Sequence, residues 1–186
     1  MYILASNLDL VIEHTSVVEC VAVYGGGLFV FSGNSNMTLH NATIARCHSS
    51  TSGGGLFIYE DNDFLTISGS SFAGCTASVE GGGVYIDANE ALRVLDTVLE
   101  DCQAGTHGGG LYFSTGSVNN LVSGCIIAGC SAGGYGRLLC GLCDGVCVCV
   151  MVGCSDDIMQ YNAMPQPCLI QLTTPSVVHM YIHACK

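Results

Sequence analysis

The sequence predicts an all-β chain folded as a right-handed single-stranded parallel β-helix, a solenoid of about four to five coils with about 28 residues per coil. The first observation is a glycine triplet that recurs every 27 or 28 residues, and the second is a cysteine that recurs with the same period. The triplets begin at Gly25, Gly53, Gly81 and Gly108, and the cysteines are Cys20, Cys47, Cys75, Cys102 and Cys130. Two residue types that keep one period over this length indicate stacked structural units.

Each unit contains three short segments with the pattern of a β-strand. An apolar tetrad follows the glycine triplet, at 28–31, 56–59, 84–87 and 111–114. After four or five turn-forming residues comes an alternating segment, at 37–39, 65–67 and 92–94, and such alternation is typical of a half-buried strand. The third segment carries an apolar residue three positions before the cysteine, at Ile44, Phe72, Leu99 and Ile127. None of these segments buries an apolar face alone, so we expect three parallel sheets formed by coil-on-coil stacking.

The glycine triplets have a backbone explanation. Glycine adopts φ > 0 without a Cβ penalty and lets successive turns approach closely, so the triplets are interpreted as structural positions. Other solenoids need other repeats: a left-handed β-helix has a six-residue period, a calcium-binding β-roll has Gly-Gly-x-Gly-x-Asp, and a leucine-rich repeat has a Leu/Asn ladder. The sequence contains none of these, which favours the right-handed β-helix.

The period divides the chain into two regions. Residues 1–136 are predicted to form the coils, with an incomplete first coil because no glycine triplet precedes it. Residues 137–186 form an irregular Cys-rich tail in which Cys140 and Cys143 make a CxxC pair, whereas a zinc ribbon needs a second pair after a longer loop. The tail is interpreted either as a terminal cap or partner-pairing segment, or as non-native sequence. The last interpretation rests on the Val-Cys-Val-Cys-Val run, which alternating GT dinucleotides encode.

Composition excludes several function classes. Four basic residues against fifteen acidic ones give a net charge of −11. Nucleic acid binding relies on Lys and Arg that neutralise phosphates, so nucleic acid is not an expected partner, and anionic membrane surfaces are disfavoured for the same reason. No run of 18 or more apolar residues predicts a transmembrane helix, and the N-terminal segment lacks the basic start of a signal peptide.

One segment resembles a known repeat family. Residues 72–85, FAGCTASVEGGGVY, are similar to the repeat of the polymorphic outer-membrane proteins, which joins Phe-x-x-Asn to Gly-Gly-Ala-Ile. Cysteine stands at the Asn position in every copy here, as it does in similar repeats of large β-helix proteins of protists and algae. The resemblance covers roughly residues 8–135. It implies a surface-exposed or secreted β-helix of adhesive or structural role, and it carries over no catalytic residues.

The five repeat cysteines are expected to lie in one ladder along an interior edge of the coil. We interpret them as small buried thiols that pack as apolar groups. Disulfides between neighbouring coils are an alternative, although parallel Cβ vectors rarely allow the required dihedral angle. A zinc site is disfavoured, because a linear ladder does not match tetrahedral coordination. No cofactor is expected.

The acidic residues of the middle coils are the remaining site candidates. Asp61, Asp63, Asp87 and Glu90 are interpreted as solvated loop acids, with a Ca²⁺ site along one loop edge as the alternative. Polysaccharide lyases and epimerases of this fold also need a base, and Arg93 is the one basic residue of the middle coils. A groove that gathers Asp87, Glu90 and Arg93 with aromatic residues would favour such an activity.

Histidines and glycosylation sequons add little to a site. His14, His40, His48 and His107 fall at different phases of the repeat and are interpreted as surface or turn residues. Asn36 and Asn41 each begin an Asn-x-Thr sequon, which supports an extracellular location if the source is eukaryotic.

The leading hypothesis is a structural or adhesive β-helix segment of a secreted or cell-surface protein. Its expected partners are carbohydrate or another surface protein, and the neighbouring coils of a longer parent protein. The sequence favours no catalysis in this chain and leaves enzymatic activity open. Two alternatives stand beside it. One is a carbohydrate-binding or polysaccharide-modifying β-helix, and the other is an incomplete gene product without independent function.

Overall fold

The structure, a computed structural model, describes residues 1–134 and, beyond them, three further strands. Every regular element in this part of the chain is a β-strand, and the strands stack into a parallel solenoid of about five coils. The predicted fold class is therefore confirmed. Apart from the three further strands, the tail expected at 137–186 lies outside the described residues.

Each coil contributes four short strands. In chain order they are β1 (Tyr2–Ile3), β2 (Val11–Glu13), β3 (Ser16–Val18) and β4 (Val21–Ala22); β5 (Leu28–Val30), β6 (Thr38–His40), β7 (Thr43–Ala45) and β8 (His48–Ser49); β9 (Leu56–Ile58), β10 (Thr66–Ser68), β11 (Ser71–Ala73) and β12 (Thr76–Ala77); β13 (Val84–Ile86), β14 (Arg93–Leu95), β15 (Val98–Glu100) and β16 (Gln103–Ala104); β17 (Leu111–Phe113), β18 (Leu121–Ser123), β19 (Ile126–Ala128) and β20 (Ser131–Ala132). The further strands are β21 (Leu138–Cys140), β22 (Cys149–Val152) and β23 (Ile170–Thr173).

Four parallel sheets run along the coil axis, one more than the sequence predicts. The first sheet contains β1, β5, β9, β13, β17 and β21. The second contains β2, β6, β10, β14 and β18, and the third contains β3, β7, β11, β15 and β19. The fourth sheet is made of the two-residue strands that follow each ladder cysteine, for example β12 paired with β16. These dipeptides, such as His48–Ser49 and Thr76–Ala77, are too short to show an alternating pattern, which is why the sequence does not reveal them.

The core is one continuous column of inward-facing side chains. In a strand alternate residues point to opposite faces, so the first and third residues of the first sheet's strands are buried, as with Leu56 and Ile58. Ile67 of the second sheet and Phe72 of the third are 0% exposed and close the other sides. Burying such a side chain contributes roughly 1.5–3 kcal/mol, which makes this column the main source of stability.

The glycine triplets join the fourth sheet to the first. The first residue of each triplet has positive φ, for example +62° at Gly81. A Cβ on the second residue would overlap backbone of the next coil: at Gly82 it would meet the carbonyl oxygens of Gln103 and Gly109. The two positions therefore exclude a side chain for different reasons, one conformational and one steric.

Candidate binding face

The outer surface of the first sheet carries an unbroken row of aromatic rings. The middle residues of β5, β9, β13 and β17 point away from the core, and Tyr2 of β1 lies in register with them. This row is called the aromatic column and consists of Tyr2, Phe29, Phe57, Tyr85 and Tyr112. Successive ring centroids lie 4.9, 5.3, 4.6 and 5.3 Å apart. Interplanar angles of 9–20° make each pair a stack. Because the rings cover one another's faces, the column presents ring edges and phenol groups outwards.

A second row lies beside the aromatic column, two residues further along the chain and directly after each strand. This flanking column consists of Phe31, Tyr59, Asp87 and Ser114. Phe31 and Tyr59 stack with centroids 5.6 Å apart and an interplanar angle of 12°. The stack ends there, because the next coil places a carboxylate in register. Oδ1 of Asp87 accepts hydrogen bonds from the Ser114 hydroxyl at 2.6 Å and from the Ala88 amide at 3.0 Å.

Tyr24 forms the opposite side of a groove over these two rows. Its ring meets Phe57 nearly edge-on, at 5.3 Å and 71°, and the residue is 48% exposed. The groove encloses about 400 Å³. Its lining consists of Tyr24, Phe29, Phe31, Ser52, Phe57, Tyr59, Tyr85 and Asp87. Six aromatic side chains and one carboxylate thus surround a volume suited to a small ligand or one unit of a polymer.

A second carboxylate lies at the far end of the aromatic column. Glu80 Oε1 is 3.1 Å from Nδ1 of His107, whose ring packs 6.2 Å from the ring of Tyr112. Burial and then the Glu80 carboxylate raise the pKa of Tyr112 to about 12. Burial, followed by Asp87 and Glu80, also raises the pKa of Tyr85. At neutral pH both phenols are protonated and can donate hydrogen bonds to a ligand.

The four predicted acidic candidates do not converge. Asp63 and Glu90 are neighbours in register on adjacent coils, and Glu90 accepts a hydrogen bond from Asn119 at 3.2 Å. Asp61 is exposed on the turn before Asp63. Asp87 alone lies in the aromatic groove. Within the part of the chain that the structure describes, no group of three or more His, Cys, Asp or Glu side chains is arranged to hold a metal ion.

Arg93 lies on a different sheet from the groove. It is the first residue of β14, paired with Thr66 and Leu121 in the second sheet. The arrangement that would favour a lyase or epimerase, with Asp87, Glu90 and Arg93 in one groove, is therefore not formed.

The ladder cysteines lie inside the coil. Cys47, Cys75, Cys102 and Cys130 are at most 1% exposed, whereas Cys20 of the first coil is half-buried. The Cys75 thiol donates to the main-chain carbonyl of Ile44 in the preceding coil, and the Cys102 thiol donates to that of Phe72, each with a sulfur–oxygen distance of 3.5 Å. Burial raises the pKa of Cys47 to about 11. Buried, protonated thiols of this kind serve packing and are poor nucleophiles.

Both sequon asparagines are exposed on turns of the second coil. Asn36 has φ +55° and Asn41 has φ +49°, and the Asn36 amide donates to Oδ1 of Asp9 at 2.6 Å. Glycosylation of the two residues stays a prediction.

Sequence reasoning did not identify the aromatic face. The tetrads look like continuous apolar runs of a buried strand, yet their second residue is aromatic in every coil: Phe29, Phe57, Tyr85 and Tyr112. That recurrence was the available signal. Glu80 and His107 come together only through coil stacking, so no local motif marks them.

Comparison with known proteins agrees with the geometry. A family model described as "Right handed beta helix region" matches residues 4–156, which extends past the boundary expected at residue 136. No curated protein and no solved structure matches the chain. None of the described elements is a helix with the length and apolar character that a membrane crossing requires.

Proposed function

Because the chain belongs to the right-handed β-helix family, we propose that it is a rigid structural segment of a secreted or cell-surface protein that binds carbohydrate through its aromatic face. The observation that supports this most directly is the aromatic column on the outside of the first sheet. Phe57 is buried under its neighbours, Phe29, Tyr85 and Tyr112 are half-buried and Tyr2 is exposed, so the column forms one contiguous apolar patch. A contiguous apolar patch at the surface is typical of a contact site for a ligand or partner.

The repeat of the surface suits an extended ligand. Aromatic rings recur at about 5 Å along the coil axis, so each coil of the aromatic column offers one ring to successive units of a polymer. Sugars combine apolar ring faces with hydroxyl groups. The groove provides aromatic surface for the first, and Asp87, Ser52 and the tyrosine hydroxyls as polar partners for the second.

Charge narrows the class of carbohydrate. The face carries the carboxylates of Glu80 and Asp87, and the two arginines of residues 1–134 lie elsewhere: Arg46 pairs with Glu19, and Arg93 lies on β14. A polyuronate would meet like charge without a compensating cation, which costs free energy. A neutral or basic polysaccharide is the expected ligand.

Rigidity supports the adhesive part of the proposal. Main-chain hydrogen bonds join each coil to the next at every sheet, for example Thr66 N to Met37 O at 2.8 Å. The side chains of the face are therefore held in register before a ligand arrives, and little ordering free energy is spent on binding.

Affinity electrophoresis through gels that contain a neutral β-glucan, a polymer of glucosamine or polygalacturonate tests the proposal. We expect retardation by a neutral or basic polymer and none by polygalacturonate. The double substitution Tyr24→Ala and Tyr59→Ala should abolish the retardation. Phe64→Ala, which removes a 63% exposed ring outside the groove, is the matched control and should leave it unchanged. Migration unaffected by every polymer would overturn the proposed function.

A further inference from the structure

The step from Tyr59 to Asp87 in the flanking column is a local break in an otherwise aromatic surface. We propose that this step is a subsite for one protonated amino-sugar residue, whose ammonium group is held between the Tyr59 ring and the Asp87 carboxylate. This inference rests on the proposed carbohydrate binding and names the class of sugar that the groove prefers.

Tyr59 presents a ring face at the step. One of its faces is stacked on Phe31 at 5.6 Å. Asp87 occupies the register position of the next coil, so the stack along this row does not continue past Tyr59, whose other described ring contact is with Phe57 of the same coil at 6.3 Å and 27°. Tyr85 closes the side of the step from the aromatic column. A cation within about 6 Å of such a ring is attracted by the negative face of the π-system.

Asp87 is positioned in advance for a cationic ligand. The Ser114 hydroxyl and the Ala88 amide both bind Oδ1, which fixes the plane of the carboxylate. Among the described residues, no group donates a hydrogen bond to Oδ2. An ammonium group that donates to this oxygen would form a charge-assisted hydrogen bond, which is about twice as strong as a neutral one.

The surroundings carry no competing cation from Lys or Arg in the described coils. Glu80 at the far end of the column pairs with His107. Of the two arginines of the described coils, Arg46 follows β7 and pairs with Glu19, and Arg93 lies on β14. The ligand's own ammonium group would therefore be the partner of Asp87. An acetylated amino sugar has lost that charge and gained bulk, so the step distinguishes the two forms.

Isothermal titration with oligomers of equal length is the test. The ligands are a glucosamine oligomer, its fully N-acetylated form and a glucose oligomer with the same linkage. The native chain should bind the glucosamine oligomer about tenfold more tightly than either neutral one, a difference of about 1.4 kcal/mol. Asp87→Asn keeps an acceptor for Ser114 and should reduce the preference to near unity while the glucose oligomer binds as before. Tyr59→Leu should reduce the preference as well.

Glu100→Gln provides the matched control, because it removes one exposed carboxylate from the third sheet. If Asp87→Asn and Glu100→Gln weaken glucosamine binding equally, general attraction by the net charge explains the preference and the subsite is overturned. Equal affinity of the native chain for all three oligomers would also overturn the subsite, while leaving the proposed function intact. Absence of binding to every oligomer and polymer would instead remove the proposed function itself. Circular dichroism of each variant confirms that the fold is retained.

Discussion

Asn34 donates its side-chain amide to Oδ1 of Asn62 at 2.8 Å, and its main-chain amide binds the same oxygen at 3.0 Å. Both residues are 0% exposed, and the relationship repeats along the coil axis. Asn7 donates to Oδ1 of Asn34 at 2.7 Å, and the main-chain amide of Asn62 donates to Oδ1 of Asn89 at 2.7 Å. These residues form an asparagine column whose side-chain oxygens accept from main-chain amides of the turn after the first sheet.

Asn62→Ala is expected to lower the free energy of unfolding by about 3 kcal/mol, because it leaves buried groups on two coils without partners. Asn62 accepts from Asn34 and also donates to the carbonyls of Tyr59 and Glu60. Urea denaturation followed by circular dichroism measures the change. Asn7→Ala at the half-buried end of the column is the control and should cost about 1 kcal/mol. Equal losses for the two variants would contradict a role for the buried column.

Gly82→Ala should be far more damaging than Gly74→Ala, although both replace a glycine in a turn. A Cβ at Gly82 would overlap main-chain oxygens of Gln103 and Gly109, so two coils would have to separate. Gly74 has φ +61°, but the nearest atom to its Cβ is Cγ of Arg46 at 3.7 Å. Its cost is the conformational one alone, about 1–2 kcal/mol.

Thermal unfolding of the two glycine variants gives the comparison. We expect Gly74→Ala to unfold cooperatively at a modestly reduced temperature, and Gly82→Ala to show no native transition. Comparable transitions for both would mean that the coils tolerate separation at the triplet.

The ladder thiols should resist alkylation until the chain unfolds. Cys75 and Cys102 are 0% exposed, and hydrogen bonding with the Cys130 and Cys75 thiols, followed by burial, raises the pKa of Cys102. Alkylation requires an accessible thiolate, so burial protects both residues, and the raised pKa protects Cys102 in addition. Iodoacetamide treatment followed by peptide mass mapping should label Cys20 in the native protein, and Cys47, Cys75 and Cys102 only after denaturation. Rapid native labelling of Cys75 would show that the coil interior opens to reagent.

The fold was predictable because its signals are periodic in the sequence. Glycine triplets, cysteines and alternating apolar residues each mark one position of the coil, and coil stacking only repeats them. The fourth sheet was not predictable from the same pattern, because dipeptides such as Thr76–Ala77 are too short to carry an alternation.

The candidate site depends on contacts between coils. Asp87 was recognised as an acidic residue of the sequence, but its position beneath Tyr59 follows from the register of β9 and β13. The four acids Asp61, Asp63, Asp87 and Glu90 were interpreted as solvated loop acids, with a Ca²⁺ site along one loop edge as the alternative. Asp87 directly follows β13 of the first sheet, whereas the others lie further along the turns. The asparagine column was missed as well, since Asn34, Asn62 and Asn89 lie in segments that look like ordinary polar turns.

Stability should fall in alkali between about pH 10 and pH 12, and Tyr112→Phe should reduce that loss. The folded chain raises the pKa of Tyr112 from 10.0 to about 12, by burial and by the nearby Glu80 carboxylate. The folded state therefore binds the phenolic proton more tightly than the unfolded state. This contribution is fully present below pH 10 and is lost as the pH rises through the folded value. Burial raises the pKa of Cys47 from 9.0 to about 11, which adds to the decline at the lower end of the range.

Urea denaturation of the native chain and of Tyr112→Phe at intervals from pH 9 to pH 12 separates the contribution of Tyr112 from that of Cys47. Phenylalanine keeps the stacked ring but removes the ionisable hydroxyl. Plots of the free energy of unfolding against pH should have the same slope for the two proteins near pH 9. Above pH 10 they should diverge, and the variant should lose less stability. Parallel curves up to pH 12 would show that the Tyr112 hydroxyl is as free to ionise in the folded chain as in the unfolded one.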